Sequence, residues 1–264
     1  MLVETGWLAT RLEQPGLRIV DARSSDKYQE GHIPGAVSLT ITEVSVNEPI
    51  QGSVAPPEQV EQALSGLGIG NDTVVVLYDD LSGLLAARLY WILEYYGHER
   101  VAILNGGYPK WLAETHEVTR VGKSVTAVEF TAKANPTLIA LKNYMLKNLE
   151  NTNVVPLDSR SPAEYIGDDV RAARSGHIPG AVNVNWIETA TSDEVPVFKS
   201  IDELNDLYTM TGVTPDKEIV TYCQTAIRGA HAYFVLRMLG YENIRVYDGS
   251  WVEWGNDNDT PIEK

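Results

Sequence analysis

The only cysteine of the chain, Cys223, lies where a predicted strand gives way to a predicted helix. The strand is the β-branched run Ile219–Tyr222, and apolar residues at helical spacing begin at Ile227. The free N–H groups at a helix start carry partial positive charge, and Arg228 adds a full positive charge nearby. Such surroundings stabilise a thiolate, the nucleophilic form of cysteine, and would hold a persulfide anion equally well. The sequence therefore predicts covalent chemistry at Cys223.

The inert alternative is that Cys223 is packed in the core, because most free cysteines are small buried hydrophobes. The strand-to-helix location and the following arginine favour the reactive role instead. A single cysteine excludes an intrachain disulfide and any multi-thiolate zinc site. The neighbouring carboxylates Asp79 and Asp80 lack a third ligand, so we predict no metal site there.

The chain carries one sequence twice, which indicates a duplicated domain. The run Gly31–Val37 recurs letter for letter as Gly176–Val182. The offset between the copies grows from 137 at their Asp-x-Arg motifs to 145 at these runs, so the second copy holds eight extra residues, around 167–174. Further matching pairs are Asp21 with Asp158, Arg23 with Arg160, Tyr28 with Tyr165, His32 with His177, Gly97 with Gly240, and Trp111 with Trp254.

The two copies differ at the position of the cysteine. The downstream offset of 143 residues places Asp80 opposite Cys223, so one copy offers a carboxylate where the other offers a thiol. A catalytic base has no reason to appear in a copy without a nucleophile, so His32 and His177 are predicted to be structural. The same reasoning assigns the two Asp-x-Arg motifs to structure.

Strand and helix signals alternate in each copy. Buried strands are predicted at 18–20, 74–78 and 101–104 in the first copy and at 154–157, 219–222 and 244–247 in the second. Helices are predicted over 85–96 and 227–238, each ended by a glycine. This alternation predicts an α/β fold of two tandem domains, each a parallel sheet with helices on both faces. The predicted boundaries are 1–113 and 137–264, with a linker at 114–136 that includes one strand at 125–131.

Composition restricts the partners. The chain has 36 Asp+Glu against 21 Lys+Arg, and its net charge of −15 disfavours nucleic acid and anionic lipid, which both need a basic face. No window approaches the ~20 apolar residues that cross a bilayer, so no membrane association is expected. The first residues lack the basic and apolar regions of a secretory signal, and we expect a cytoplasmic protein.

Over nearly the whole chain, these motifs resemble the tandem-domain rhodanese sulfurtransferases. The likeness rests on Asp-x-Arg followed by Gly-His-Ile-Pro-Gly-Ala in both halves, the Cys223-x4-Arg228 loop, and the ending Asp248-Gly249-Ser250-Trp251. It implies an inactive N-terminal domain, with Asp80 in place of the nucleophile, and a catalytic C-terminal domain. In the implied reaction, Cys223 takes sulfane sulfur from thiosulfate or a similar small anion and passes it to cyanide or a thiol. The covalent cysteine persulfide is the intermediate, and no cofactor is expected.

The resemblance also implies which residues surround the donor. The expected substrate loop consists of Gln224, Thr225, Ala226, Ile227 and Arg228. It lacks both the basic residues usual in thiosulfate enzymes and the Gly-Ser/Thr-Gly usual in mercaptopyruvate enzymes, and it looks like a less common bacterial subgroup with a Cys-Gln-Thr start. Where the family often has an arginine, this chain has Glu164. Arg171 and Arg174 are the candidates to supply that charge, and Trp186 is a candidate to approach the site.

Three alternatives stay open. The donor would be 3-mercaptopyruvate in one of them, and in another the persulfide would be delivered to a dedicated protein acceptor. Both need the same thiolate, so the sequence does not separate them from the thiosulfate enzyme. The third is a cysteine phosphatase, whose loop has the spacing Cys-x5-Arg. The shorter Cys-x4-Arg spacing of this chain favours a single sulfur atom over a tetrahedral phosphate.

Overall fold

A computed structural model describes residues 1–264, and the chain forms two compact units. The first consists of Met1–Ser45, Val54–Asn135 and Ala190–Phe198, and the second of Val46–Ser53, Pro136–Thr189 and Lys199–Lys264. Each unit is therefore built mainly from one half of the chain and includes a short segment of the other half. Nearly all of the predicted linker belongs to the first unit.

The units contain twelve strands and ten α-helices. In chain order the strands are β1 (Leu2–Val3), β2 (Leu17–Asp21), β3 (Ala36–Ser38), β4 (Ser45–Val46), β5 (Ser53–Val54), β6 (Val74–Tyr78), β7 (Val101–Leu104), β8 (Ile139–Ala140), β9 (Val154–Asp158), β10 (Val182–Asn183), β11 (Glu218–Tyr222) and β12 (Ile244–Tyr247). The helices are α1 (Thr5–Ala9), α2 (Ser25–Glu30), α3 (Pro57–Gly66), α4 (Leu84–Tyr95), α5 (Gly107–Ala113), α6 (Lys142–Lys147), α7 (Pro162–Ile166), α8 (Ile201–Thr209), α9 (Ile227–Met238) and α10 (Ser250–Trp254). Short 3₁₀ turns occupy Ile41–Glu43 and Trp186–Thr189.

Each unit has a five-stranded sheet whose neighbouring strands are parallel. The order is β1-β7-β6-β2-β3 in the first unit and β8-β12-β11-β9-β10 in the second. These are the same topology, strand for strand, which confirms the predicted α/β fold. The six predicted strands and both predicted helices are present, with ends shifted by no more than one residue.

Burial explains why these elements form where they do. The central strands β6 and β11 are β-branched runs that are buried almost throughout. The helices that follow them are buried on every side, without a break over 86–93 in α4 and over 229–236 in α9. Trp111 and Trp254 fill equivalent places in the two cores. No helix is long and apolar enough to cross a membrane.

The predicted strand at 125–131 is wrong, because this segment binds a helix end and a turn rather than a sheet. The N–H of Val128 donates to the carbonyl of Ser65, and the N–H of Phe130 donates to the Ser65 hydroxyl. The N–H of Thr131 donates to the side chain of Asn71. The alternating sequence of the segment is accommodated by burying Phe130 alone, without any strand partner.

Candidate active site

Strand register shows which residues of the two units correspond. Tyr78 pairs with Asp21 at the end of β6, and Tyr222 pairs with Asp158 at the end of β11. Each tyrosine hydroxyl also accepts the N–H of the isoleucine in its Gly-His-Ile-Pro motif, at 3.2 Å in both units. The last residues of β6 and β11 are therefore equivalent.

The counterpart of Cys223 is Asp79, and the predicted counterpart Asp80 is wrong. Both Asp79 and Cys223 directly follow their equivalent tyrosines. The connection to the next helix spans 79–83 in the first unit but only 223–226 in the second. An offset counted from the helices therefore misses the correct residue by one position.

The Asp79 carboxylate occupies a cradle of main-chain amides. Its Oδ1 accepts the N–H groups of Leu81 and Gly83, both at 2.9 Å. Its Oδ2 accepts those of Leu85 and Ala86, at 2.7 and 2.9 Å. These four hydrogen bonds favour the negative charge, but burial of this side chain, which is 1% exposed, outweighs them and raises the pKa of Asp79. The loop of the first unit is thus an anion-binding site filled by the unit's own side chain.

The loop of the second unit keeps only part of this cradle, because the N–H of Ala226, the counterpart of Gly83, donates to the hydroxyl of Ser250. Cys223 is 1% exposed, and the N–H groups of Arg228 and Gly229 correspond to those of Leu85 and Ala86. These amides lie in the first turn of α9, where a helix leaves N–H groups without intrahelical acceptors. Two of the amides that bind Asp79 in the first unit thus have counterparts at the start of the helix that follows Cys223.

A buried hydroxyl, that of Ser250, fixes the loop from behind. Its Oγ accepts the N–H groups of Cys223 and Ala226, at 3.3 and 3.0 Å, and donates to the carbonyl of Tyr247 at 2.9 Å. The N–H of Trp251 also donates to the carbonyl of Cys223 at 2.9 Å. This supporting role of Ser250 is not predicted from the sequence. The residue belongs to the Asp248-Gly249-Ser250-Trp251 motif, which is the sequence signal for it.

Two small residues shape the approach of the helix to the strand. Ala226, the counterpart of Gly83 with its φ of +81°, is fully buried and has φ of +61°. Its role is to turn the chain into α9. A Cβ at Gly229 would lie 3.1 Å from the Cα of Tyr222. This spacing is tighter than most Cβ contacts, so a side chain at position 229 would require the helix start or the strand end to shift.

Arg228 is held by a carboxylate. Its Nη1 and Nη2 donate to Oε2 and Oε1 of Glu164, at 2.6 and 2.9 Å, in a bidentate pair. Burial favours the neutral form of Glu164, but the hydrogen bonds from Arg228 and Ser161 outweigh it and lower the pKa of Glu164 to about 2. Burial alone would lower the pKa of Arg228, yet Glu164 and the Cys223 thiolate raise it. The arginine is thus coupled to both the sulfur and the carboxylate.

The extra residues of the second copy reach the catalytic loop. The Nε2 of Gln224 donates to the carbonyl of Arg171 at 3.0 Å. The guanidinium of Arg171 is about half exposed, lies 3.6 Å from Glu164, and pairs with Asp169 at 2.8 Å. Arg171 therefore lies next to the site, although the charge of its guanidinium is balanced by Asp169.

Arg174 has a structural role that replaces the predicted substrate contact. Its two Nη atoms donate to the carbonyls of Trp254, Asp257 and Thr260. These bonds bind the inserted segment to the end of the chain.

The remaining predicted residues lie around the loop. Thr225 and Ile227 are half-buried. A Cβ built at Gly52, in the short segment from the N-terminal half, would lie 3.3 Å from the Cβ of Thr225. Trp186 packs edge-on against His231 of α9, with ring centroids 5.5 Å apart. Trp186 thus contacts the helix that carries Arg228, one turn beyond it.

A family model for the rhodanese-like domain matches residues 4–114 and again residues 141–257. The chain belongs to the rhodanese-like family. The resemblance expected from the sequence motifs is confirmed.

Three relatives illustrate the range of the family. The chain is 38% identical over 264 residues to the thiosulfate sulfurtransferase of Azotobacter vinelandii, covering 100% of this chain and 97% of the relative. It is 36% identical over 279 residues to the sulfur carrier protein TtuD of Thermus thermophilus, covering 100% and 96%. The solved structure of SseA from Escherichia coli, a 3-mercaptopyruvate sulfotransferase with the rhodanese fold, matches with a TM-score of 0.85 and 31% identity, covering 95% and 98%.

In both rhodanese-like units the shared motifs are structural, as predicted. Arg160 pairs with Asp158 at 2.5 Å and donates to the carbonyl of Gly176 at 2.7 Å, and the first unit repeats this arrangement. His177 stacks on Tyr165 with ring centroids 3.7 Å apart, and the first unit repeats this as well. The Asp-x-Arg motifs join the ends of β2 and β9 to the Gly-His-Ile-Pro turns.

Proposed function

We propose that this protein is a sulfurtransferase in which Cys223 takes sulfane sulfur from thiosulfate as a persulfide and gives it to cyanide or a thiol. The observation that carries the proposal is the filled cradle of the first unit. Counting bonds from the Cα, the Sγ of Cys223 corresponds to the Cγ of Asp79. The outer sulfur of a persulfide then corresponds to a carboxylate oxygen, and each carboxylate oxygen of Asp79 accepts two amide N–H groups in the first unit. The loop is built for an anion two atoms beyond the Cβ.

The proposed reaction is balanced in two displacements. The Cys223 thiolate attacks the outer sulfur of thiosulfate, and an S–S bond forms to the enzyme as the bond to the sulfonate sulfur breaks. Sulfite leaves with that bonding pair, and the outer sulfur keeps a negative charge. Cyanide then attacks this outer sulfur, which gives thiocyanate and restores the thiolate. The amides of the loop stabilise the charge on sulfur throughout, as an oxyanion hole does.

The relatives support thiosulfate as the donor and 3-mercaptopyruvate as the second candidate. Thiosulfate is the substrate named for the Azotobacter relative, which shares 38% of its residues with this chain. The donor 3-mercaptopyruvate is named for SseA at 31% identity and is the second candidate. A phosphate ester is disfavoured, because both Nη atoms of Arg228 are already paired with Glu164. No cofactor takes part, and we place the reaction in the cytoplasm, where a single free thiol stays reduced.

Intact-mass measurement tests the proposal directly, because Cys223 is the only cysteine. Incubation with thiosulfate should add the mass of one sulfur atom to the protein, and later addition of cyanide should remove it. The Cys223→Ser variant should gain nothing. Incubation with 3-mercaptopyruvate in parallel ranks the two donors. If neither donor gives an adduct on the wild-type protein, the proposal is wrong.

Delivery to a protein acceptor is the second candidate function, since the Thermus relative is named a sulfur carrier. It uses the same persulfide on Cys223 and differs only in the second step. Loss of the added sulfur should then be slow with cyanide or small thiols. Fast turnover with thiosulfate and cyanide, at rates ordinary for an enzyme, would argue for the small-molecule reaction.

A further inference from the structure

We propose that Glu164 sets the charge of the catalytic loop, so that the site discriminates between sulfur donors by their charge and disfavours doubly charged ones. The inference rests on the proposed function where it concerns donors. The charge of the loop is a property of the protein and can be measured without any donor.

The bidentate pair removes the only cation of the loop. Residues 224–227 carry no charge, so Arg228 is the single charged side chain there. Both of its Nη atoms bind Glu164, whose side chain is 1% exposed, while that of Arg228 is 18% exposed. Because the pair is shielded from water, the carboxylate cancels most of the field of the guanidinium at the sulfur. An approaching donor meets amide dipoles without a net positive charge.

The charges farther out do not restore a positive site. Arg171 lies 3.6 Å from Glu164 on the exposed side, and Asp169 pairs with Arg171 at 2.8 Å. Two cations and two carboxylates therefore alternate outward from the loop. Their sum is zero.

Glu164 is fixed by its own main chain as well as by the arginine. It completes a capping box at the start of α7, in which its carboxylate accepts from the N–H and hydroxyl of Ser161. Glutamine fills this third position of a capping box as well as glutamate does. Glu164→Gln therefore removes the charge while it preserves the shape and the cap.

Coulomb's law makes the discrimination depend on the charge of the donor. Removing the negative charge of Glu164 strengthens the binding of a singly charged anion by some factor. For a doubly charged anion the increase is about the square of that factor. After solvent screening we expect a factor of roughly 3 to 10 per unit of donor charge. Thiosulfate carries two charges and 3-mercaptopyruvate one. Glu164 thus shifts preference toward the second.

Alkylation of Cys223 measures the charge of the loop. Iodoacetate is an anion and iodoacetamide is neutral, and both react with the thiolate. The ratio of their rates therefore cancels the thiolate fraction. Glu164→Gln should raise the iodoacetate-to-iodoacetamide ratio roughly 3- to 10-fold. Arg171→Gln, which removes a cation from the same cluster, should lower it. The matched control is Glu203→Gln, because Glu203 completes the capping box of α8 with Ser200 but has no arginine partner there.

The outcomes separate the inference from the proposed function. Expected are a raised alkylation ratio in Glu164→Gln, no change in Glu203→Gln, and a roughly 3- to 10-fold rise in kcat/KM for thiosulfate relative to 3-mercaptopyruvate. An alkylation ratio that neither Glu164→Gln nor Arg171→Gln moves overturns the role of Glu164, even if sulfur transfer is observed. A ratio that moves as expected, in a protein that accepts sulfur from no donor, supports the charge role and refutes the proposed function.

Discussion

Asp79 and Cys223 occupy equivalent positions after equivalent strands, and the carboxylate of Asp79 is bound by the main-chain amides of its own loop. In the first unit the side chain of Asp79 thus occupies the anion site. In the second unit the site is left for an atom bound to the sulfur of Cys223. At this junction the second unit has a thiol in place of the carboxylate, and its loop is one residue shorter. The scaffold that positions the amides is common to both.

Asp79→Asn should destabilise the first unit by about 3 kcal/mol, because the new NH₂ group would face two amide N–H groups and leave them unpaired. Urea unfolding measures the change in the free energy of unfolding. The control is Asp80→Asn, which only breaks a surface ion pair with Lys27 and should cost less than about 1 kcal/mol. Similar losses for the two variants would contradict the cradle assigned to Asp79.

The pH dependence of stability should report the pair of Glu164 and Arg228. Burial opposes ionisation of Glu164, but hydrogen bonds lower its pKa to about 2, below the ordinary 4.5 of the unfolded chain. The stabilisation is therefore complete above pH 4.5 and is lost as pH falls toward 2, with a total of about 3 kcal/mol. Urea unfolding of wild type and Glu164→Gln between pH 3 and pH 7 should show the wild-type advantage shrinking on acidification. An advantage that is constant with pH would contradict the lowered pKa.

The sequence predicts most of the fold because strands such as 74–78 and 244–247 are short apolar runs between clear turns. It also predicts that Cys223 is the nucleophile, since a thiol at a strand-to-helix junction lies close to groups that stabilise a thiolate. It does not identify Asp79, because only strand register shows which of two adjacent carboxylates is equivalent to the thiol. The partner of Arg228 is 64 residues distant in sequence, and no local pattern links the two.

Gly229→Ala should slow persulfide formation, because the new Cβ would lie 3.1 Å from the main chain of Tyr222 and push the start of α9 away from Cys223. Displacing amide donors from a developing anion costs up to about 100-fold in rate. The measurement is the rate of the single-sulfur mass gain with thiosulfate. Gly6→Ala is the control, since a Cβ at Gly6 has no atom within 4 Å, and it should leave the rate unchanged. Equal rates for both variants would show that the close approach is unimportant.

Ala226→Gly should stabilise the second unit by about 1 kcal/mol or slightly less, because alanine pays for its left-handed φ of +61° and glycine does not. The greater freedom of glycine in the unfolded chain offsets part of this gain. Ala226→Val should lose at least 2 kcal/mol, since a β-branched side chain fits neither the backbone conformation nor the fully buried site. Thermal unfolding ranks the three proteins. If valine is tolerated as well as glycine, then the side chain of Ala226 lies in open space, and the residue does not turn the chain into the helix.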